Sequence, residues 1–224
     1  MTVPVVAIDG PSGSGKGTVA AAVAEALGFH LLDSGALYRL VAYAALARDV
    51  ALDDAEALAS LARDLRIEFD FTATEAASVR LDGEAVGEAI RSEEVASAAS
   101  RVAALTPVRE ALLDVQRNFR EPPGLVADGR DMGTVVFPDA ECKLFLTASA
   151  EERANRRYKQ LKEKGIDVKF PALLGEIRAR DERDRNRSVA PLKPAPDAHT
   201  LDTSEMSIED VVDSVLSFVR ERLV

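Results

Sequence analysis

Residues 10–18 read GPSGSGKGT, set between the apolar run VPVVAID and the alanine-rich TVAAAVAEAL. A glycine-rich turn joining a buried strand to a helix aims unpaired backbone N–H groups, and the positive end of the helix dipole, at one point in space. A polyphosphate suits that point, because Gly10, Gly13 and Gly15 let the backbone approach it and Lys16 brings a mobile ammonium to the outer phosphates. A turn that bound nothing would leave the lysine's placement without a reason. The dinucleotide fingerprint G-x-G-x-x-G fails, since counted from Gly13 and Gly15 its third glycine falls on Thr18. No D-x-x-G or N-K-x-D occurs in the chain, which sets a signalling GTPase aside. One feature departs from the common phosphate loop: Gly17 follows the lysine, and the hydroxyl arrives one place later, at Thr18. Rotated about 100° along the helix, Thr18 can still bond a phosphate oxygen.

The charge pattern points to a second anion. A net charge of −10 argues against nucleic-acid binding by the surface as a whole. Yet residues 151–187 hold twelve of the 28 Lys and Arg against eight acids, so a small anion is expected to dock there. Arg180, Asp184 and Arg187 fall at i, i+4 and i+7 on one helix face, where a carboxylate can be fixed by two guanidiniums. A solvated helix laced with i,i+4 pairs gives the same pattern without a ligand, and Arg183 and Arg185 are read that way.

The spacing G-x-x-x-x-G-K-G-T is similar to the loop of nucleoside monophosphate kinases. DSGALYR at 33–39, DGRDMGTVVFPDA at 128–140, EERANRRYKQLKEKG at 151–165 and RDERDRNR at 180–187 together resemble the bacterial cytidylate kinases over nearly the whole chain. The resemblance implies that ATP donates its γ-phosphoryl group to CMP or dCMP, with Mg²⁺ present. It assigns ATP to Gly10, Pro11, Ser12, Gly13, Ser14, Gly15, Lys16, Gly17, Thr18 and Arg157, and the acceptor phosphate to Arg39, Arg130 and Arg187. Lys16, Arg130 and Arg187 would be the catalytic residues, with lid arginines among Arg153, Arg156 and Arg157 balancing the transferring group. Arg180 and Asp184 would meet the ribose. Ser34 would cap its helix and touch phosphate at once. Mg²⁺ would be held mainly by phosphate oxygens and water, with Asp128 reaching it through water.

The chemistry is consistent with those roles. A nucleoside monophosphate oxygen is already a nucleophile near neutral pH, so neither His30 nor His199 is needed as a base. Cytosine offers an N4 amino donor beside N3 and O2 acceptors, which a carboxylate (Asp131) and a guanidinium (Arg109), with Ser100, can match. Ser100 also reads as a mid-helix serine bonded to its own backbone, and Arg109 as a boundary residue of a helix whose apolar face runs Val108, Leu112, Val115, Phe119. A kinase for a small hydroxyl compound would instead need a base, which Asp33 or Asp128 could provide. A non-catalytic nucleotide-binding module is the remaining reading.

The elements that must position these residues are legible as an α/β fold: a doubly wound parallel sheet, P-loop type, with a small antiparallel β insertion and a short helical lid. VPVVAID, FHLLD, LVADG, CKLFLTA and HTLDT read as buried strands alternating with helices. RIEFDFT alternates Ile67, Phe69 and Phe71 with polar residues, and Asp82-Gly83 in SVRLDGEAV suits a hairpin turn. The 224 residues are expected to form one kinase domain, with an acceptor-binding insert over about 34–104 and a lid over about 151–170. The N-terminus has no basic segment before its apolar run, no apolar stretch reaches membrane length, and Cys142 has no disulfide partner. A cytoplasmic monomer that meets neither membrane nor nucleic acid is expected.

Overall fold

The computed structural model describes residues 2–70, 78–163 and 165–223. Phe71, placed above in an insertion strand, and Lys164, within the expected lid, lie outside the described residues. The chain divides into two compact units, Met1–Asp33 with Arg117–Val224, and Ser34–Gln116.

The first unit is built on five parallel strands: β1 (Val5–Asp9), β2 (His30–Asp33), β6 (Leu125–Gly129), β7 (Cys142–Thr147) and β8 (His199–Asp202), in the order β2-β6-β1-β7-β8. Every residue of β1 and β6 is buried, as their unbroken apolar runs require of central parallel strands. Helices α1 (Lys16–Leu27) and α8 (Ile208–Arg220) cover one face, where Val19, Val23, Val211, Val215 and Val219 close over Val6, Ile8, Leu144 and Leu146. Two further helices, α6 (Ala150–Glu163) and α7 (Phe170–Arg185), pack against each other, with Tyr158 edge-on to Phe170. Cys142 on β7 is fully buried, and burial pushes its thiol up to about 11.

The second unit holds α2 (Ser34–Ala47), α3 (Ala55–Asp64), α4 (Glu93–Val102) and α5 (Thr106–Arg117, bar its last residue), together with a three-stranded antiparallel sheet of β3 (Ile67–Asp70), β4 (Ser78–Leu81) and β5 (Glu84–Ala85). Asp82 and Gly83 both have positive φ, 52° and 89°, as the hairpin dipeptide demands. The Asp82 side chain accepts from the Arg66 amide at 3.2 Å and from Arg48 at 2.7 Å. Helix α3 was not foreseen; Asp54 caps it by accepting from the Ala57 amide at 3.0 Å. Among the described residues no helix is long and apolar enough to cross a membrane.

The turn out of β1 tolerates no side chain. Gly10 has φ 154°, and a Cβ there would lie 2.0 Å from the Leu146 carbonyl oxygen, a backbone atom that β7 holds in place. Gly28 also has a positive φ, 65°, but a Cβ there meets nothing within 4 Å. Gly10→Ala is therefore expected to lower stability by about 3 kcal/mol or more, and Gly28→Ala by about 1 kcal/mol. Urea unfolding midpoints of the two variants check the contrast.

Candidate active site

Helix α1 opens on Lys16 with Gly15 before it at φ 87°, and no side chain caps its first turn and no acid sits in it. Its leading N–H groups are thus offered to whatever lies in the loop. Ser14 Oγ is buried and has no hydrogen-bond partner among the described residues. Lys16 is buried as well, donating to the Pro11 carbonyl at 3.3 Å and standing 3.7 Å from Asp128 Oδ1. Burial, reinforced by the positive charge of Arg130, pushes its ammonium down to about 8 against the pull of Asp128 and Asp33. Thr18 lies exposed on the first turn of α1.

The glycine after the lysine has a spatial cause. A Cβ at Gly17 would lie 3.2 Å from Asp128 Oδ2. The volume that a Ser or Thr would fill beside Lys16 in the common loop is here bordered by a carboxylate.

Strand register lines up three carboxylates at the carboxyl ends of neighbouring strands: Asp33 on β2 pairs with Asp128 on β6, and Asp9 on β1 pairs with Gly129. Ligands of open α/β sheets bind at that edge. Asp9 is the residue that sequence reasoning missed. Its Oδ1 accepts from the Met132 amide at 2.8 Å and its Oδ2 from the Gly133 amide at 2.9 Å. Burial pushes its carboxyl up to about 7, opposed by those two amides and helped by the charges of Asp131 and Asp128. The amides belong to a π-helical turn, Met132–Val136, that opens at Asp131. Asp131 is buried and its carbonyl accepts from Val135 at 2.9 Å.

The arginine cluster is assembled within the first unit, though not as helix spacing alone suggests. Asp184 is fixed by Arg130 Nε, 3.1 Å from its Oδ2, and by Arg187 Nη2, which donates to its Oδ1. Burial disfavours the Asp184 carboxylate, but the charges of Arg130, Arg187 and Arg180 together hold it below the usual carboxylate range. The partner taken from outside the helix could not be read from i, i+4 spacing. Arg130 and Arg180 also act electrostatically on Lys16, so the four cations and the acids Asp128 and Asp184 form one array.

Two of the three candidate lid arginines are committed to the back of the phosphate loop. Arg153, 2% exposed, donates to the Ser12 and Ala148 carbonyls at 2.9 and 3.0 Å and makes a bidentate pair with Asp181. Arg156 donates to the Ser14 carbonyl at 3.4 Å and to the Thr203 carbonyl, while Thr203 Oγ1 bonds the Ser14 and Thr147 carbonyls. Arg157 is half-buried, with Gln160 at 3.5 Å.

In the second unit Ser34 is the first residue of α2 rather than its cap, and its hydroxyl donates to Gln116 Oε1 at 2.6 Å. The helix begins directly after the strand, so the position before its first residue is Asp33. Arg39 is half-buried on α2. Ser100 is buried on α4, and buried Arg109 donates to the Ala103 carbonyl at 3.2 Å with its guanidinium 5.7 Å from the Tyr38 ring centre. Both histidines sit on strands, as expected: His30 Nε2 lies 3.0 Å from the Pro122 carbonyl, and His199 stacks on Phe218.

A family model described as cytidylate kinase matches residues 6–221. Curated relatives of that name include one from Aeromonas hydrophila, 60% identical over 98% of this chain and 95% of its own. Another from Klebsiella pneumoniae is 59% identical over 99% and 97%, and one from Pseudomonas aeruginosa is 62% identical over 96% and 94%. A match spanning the phosphate loop, the carboxylate row and the arginine array alike means that the chain belongs to the cytidylate kinase family and is an ATP-dependent nucleoside monophosphate kinase.

Proposed function

We propose that the enzyme passes the γ-phosphoryl group of ATP to CMP or dCMP by direct in-line displacement. An acceptor phosphate oxygen forms the new P–O bond as the bond from the γ-phosphorus to the β,γ-bridging oxygen breaks, and its electron pair leaves with ADP. No proton has to move for this step, in keeping with a site built from cations and carboxylates rather than a histidine base. The observation that carries the reading is the array of Lys16, Arg130, Arg180 and Arg187 beside an uncapped helix N-terminus. Two anions that repel need such charge, and arginine contacts of this kind are worth about 10³ to 10⁵ in rate.

We assign ATP to the loop Gly10–Thr18 and Arg157, and the acceptor to Ser34, Arg39, Ser100, Arg109, Arg130, Asp131, Arg180, Asp184 and Arg187. Lys16, Arg130 and Arg187 act on the reacting phosphates. A carboxylate has about four acceptor positions, so Asp184 can keep both arginines and still take a ribose hydroxyl. The donor set fits magnesium: Asp128 offers hard oxygens beside the loop, and Gly17 leaves the volume next to them without a side chain. Among the described residues no group of three or more His, Cys, Asp or Glu could hold a metal ion alone, so Asp128 would hold it through water, with phosphate oxygens supplying the rest. Bound there, the ion would neutralise charge on the β- and γ-phosphates. We place the enzyme in the cytoplasm as a monomer.

Coupled ADP release is expected with CMP and dCMP, far less with UMP and AMP, and none with small alcohols; Lys16→Ala should lower turnover by at least a hundredfold. ATP binding without ADP release from any acceptor would make the chain a binding module, and release with an alcohol would make it the other kind of kinase.

Base choice rests on Asp131 accepting from the cytosine amino group. Uracil turns its O4 toward the same carboxylate, leaving a buried charge unpaired at a cost of about 1–3 kcal/mol. Asp131→Asn should therefore cut the CMP:UMP ratio of kcat/KM by about ten- to a hundredfold. Equal losses for both acceptors would remove Asp131 from base reading.

Closure of a lid is confined by the tethers of Arg153 and Arg156 to the part of the 151–170 segment beyond them. Amide exchange at 158–163 and 165–170 should slow when both nucleotides are bound, while the turn around Arg153 stays as it was. Unchanged exchange throughout would count against a lid.

A further inference from the structure

We propose that Asp9 is a positioning residue for the acceptor nucleotide. Its carboxylate receives the Met132 and Gly133 amides and so fixes the turn that presents Arg130 and Asp131. The inference rests on the reading that Arg130 and Asp131 grip CMP.

Three observations converge on it. First, each oxygen of Asp9 takes one backbone N–H, at 2.8 and 2.9 Å, so both bonds are of full strength and the turn is held at two successive residues. Second, the local structure is shaped to admit them. A Cβ at Gly133 would press on Lys143 Cγ and Cδ at 3.2 Å and lie 3.5 Å from Asp9 Oδ2. A Cβ at Gly129 would meet Met132 Cγ and Cε at 2.8 Å. Glycines on both sides of Arg130 and Asp131 thus let the turn close down on Asp9. Third, Asp9 immediately precedes Gly10, whose Cα is locked against the Leu146 carbonyl. The same residue therefore continues into the donor loop through the chain and into the acceptor turn through hydrogen bonds. An offset between the two would be transmitted to the in-line geometry, where misplacement by about 1 Å can cost about a hundredfold.

The carboxylate touches no substrate atom in this account. What it controls is where its neighbours stand. A buried carboxylate accepting two amides is also hard to replace. Asn keeps one acceptor oxygen but turns an N–H₂ donor toward the second amide, so one bond is lost and two donors face each other.

The test is steady-state kinetics of Asp9→Asn beside Asp131→Asn and Arg130→Lys, with ATP affinity measured separately by equilibrium binding. Asp9→Asn is expected to lower kcat/KM for CMP at least tenfold and to narrow the CMP:UMP ratio in the direction that Asp131→Asn does. Its ATP dissociation constant should stay within threefold of the parent. Wild-type kinetics, or a loss shared equally by ATP binding and both acceptors, would overturn the proposal. If Arg130→Lys and Asp131→Asn themselves leave CMP use untouched, the acceptor-site reading fails instead, and the two failures are told apart. Should Asp9→Asn be recovered unfolded, Asp9→Glu and Gly133→Ala press on the same two bonds from either end. A CMP-selective loss in either supports the proposal, and wild-type ratios in both overturn it.

Discussion

The N-terminus of α1 carries no side-chain cap, and much of the first unit is arranged around that opening. Helix ends without partners are costly when buried, so a chain that leaves one open must bring something to it. Here the loop glycines turn the leading N–H groups inward, Gly10 is pinned on the β7 backbone, and Ser14 Oγ lies buried without a partner among the described residues. Arg153, Arg156 and Thr203 hold the outward-facing carbonyls of Ser12 and Ser14 from behind. Carbonyls tied at the back keep the amides facing forward. The loop is therefore preorganised for an anion, which lowers the ordering cost of binding one.

The same logic explains why Lys16 is uncomfortable in the unliganded protein. Lys16 is held in a buried setting, which disfavours its charge, with the like charges of Arg130 and Arg180 acting on it as well. Its depressed basicity records burial first and the positive field of Arg130 and Arg180 second, which Asp128 and Asp33 only partly offset. Phosphates entering this field relieve it. The carboxylates then act as place-holders: Asp184 holds Arg130 through one oxygen and Arg187 through the other, fixing both guanidiniums beside one group. A site that must draw two polyanions together has to be strained electrostatically before they arrive.

How far this was legible from the sequence differs from element to element. The parallel strands, the P-loop and the Asp82-Gly83 hairpin were visible because each rests on a local pattern: an apolar run too short for a helix, glycines at fixed spacing, a dipeptide that accepts positive φ. The array of Arg130, Arg180 and Arg187 was located by motif but its wiring was not, since Asp184 takes one partner 54 residues away in sequence. Ser34 was misread as a cap because strand-to-helix junctions without an intervening residue have no local mark. Arg153 and Asp9 were hidden for a related reason. A buried charge is recognised by its partners, and those of Arg153 lie on the loop and on α7, those of Asp9 beyond residue 130. Periodicity reports which face is apolar; it is silent about which backbone groups converge there.

The row of carboxylates at the ends of β1, β6 and β2 shows how one residue type is made to do three things. Strand register sets Asp128 opposite Asp33 and Asp9 one place further along, opposite Gly129, and ionised neighbours at one sheet edge repel. The environments separate them. Asp9 is wholly enclosed and satisfied by two amides, Asp128 is buried against an ammonium, and Asp33 is exposed to water at the strand edge. The first is shielded by neutral dipoles and shapes the chain, the second borders the space that a side chain at 17 would enter, and the third biases Lys16 at longer range. Replacing the usual hydroxyl by Gly17 is then part of the same arrangement. A side chain at 17 would press on Asp128, the one buried carboxylate within ion-pair reach of Lys16 among the described residues.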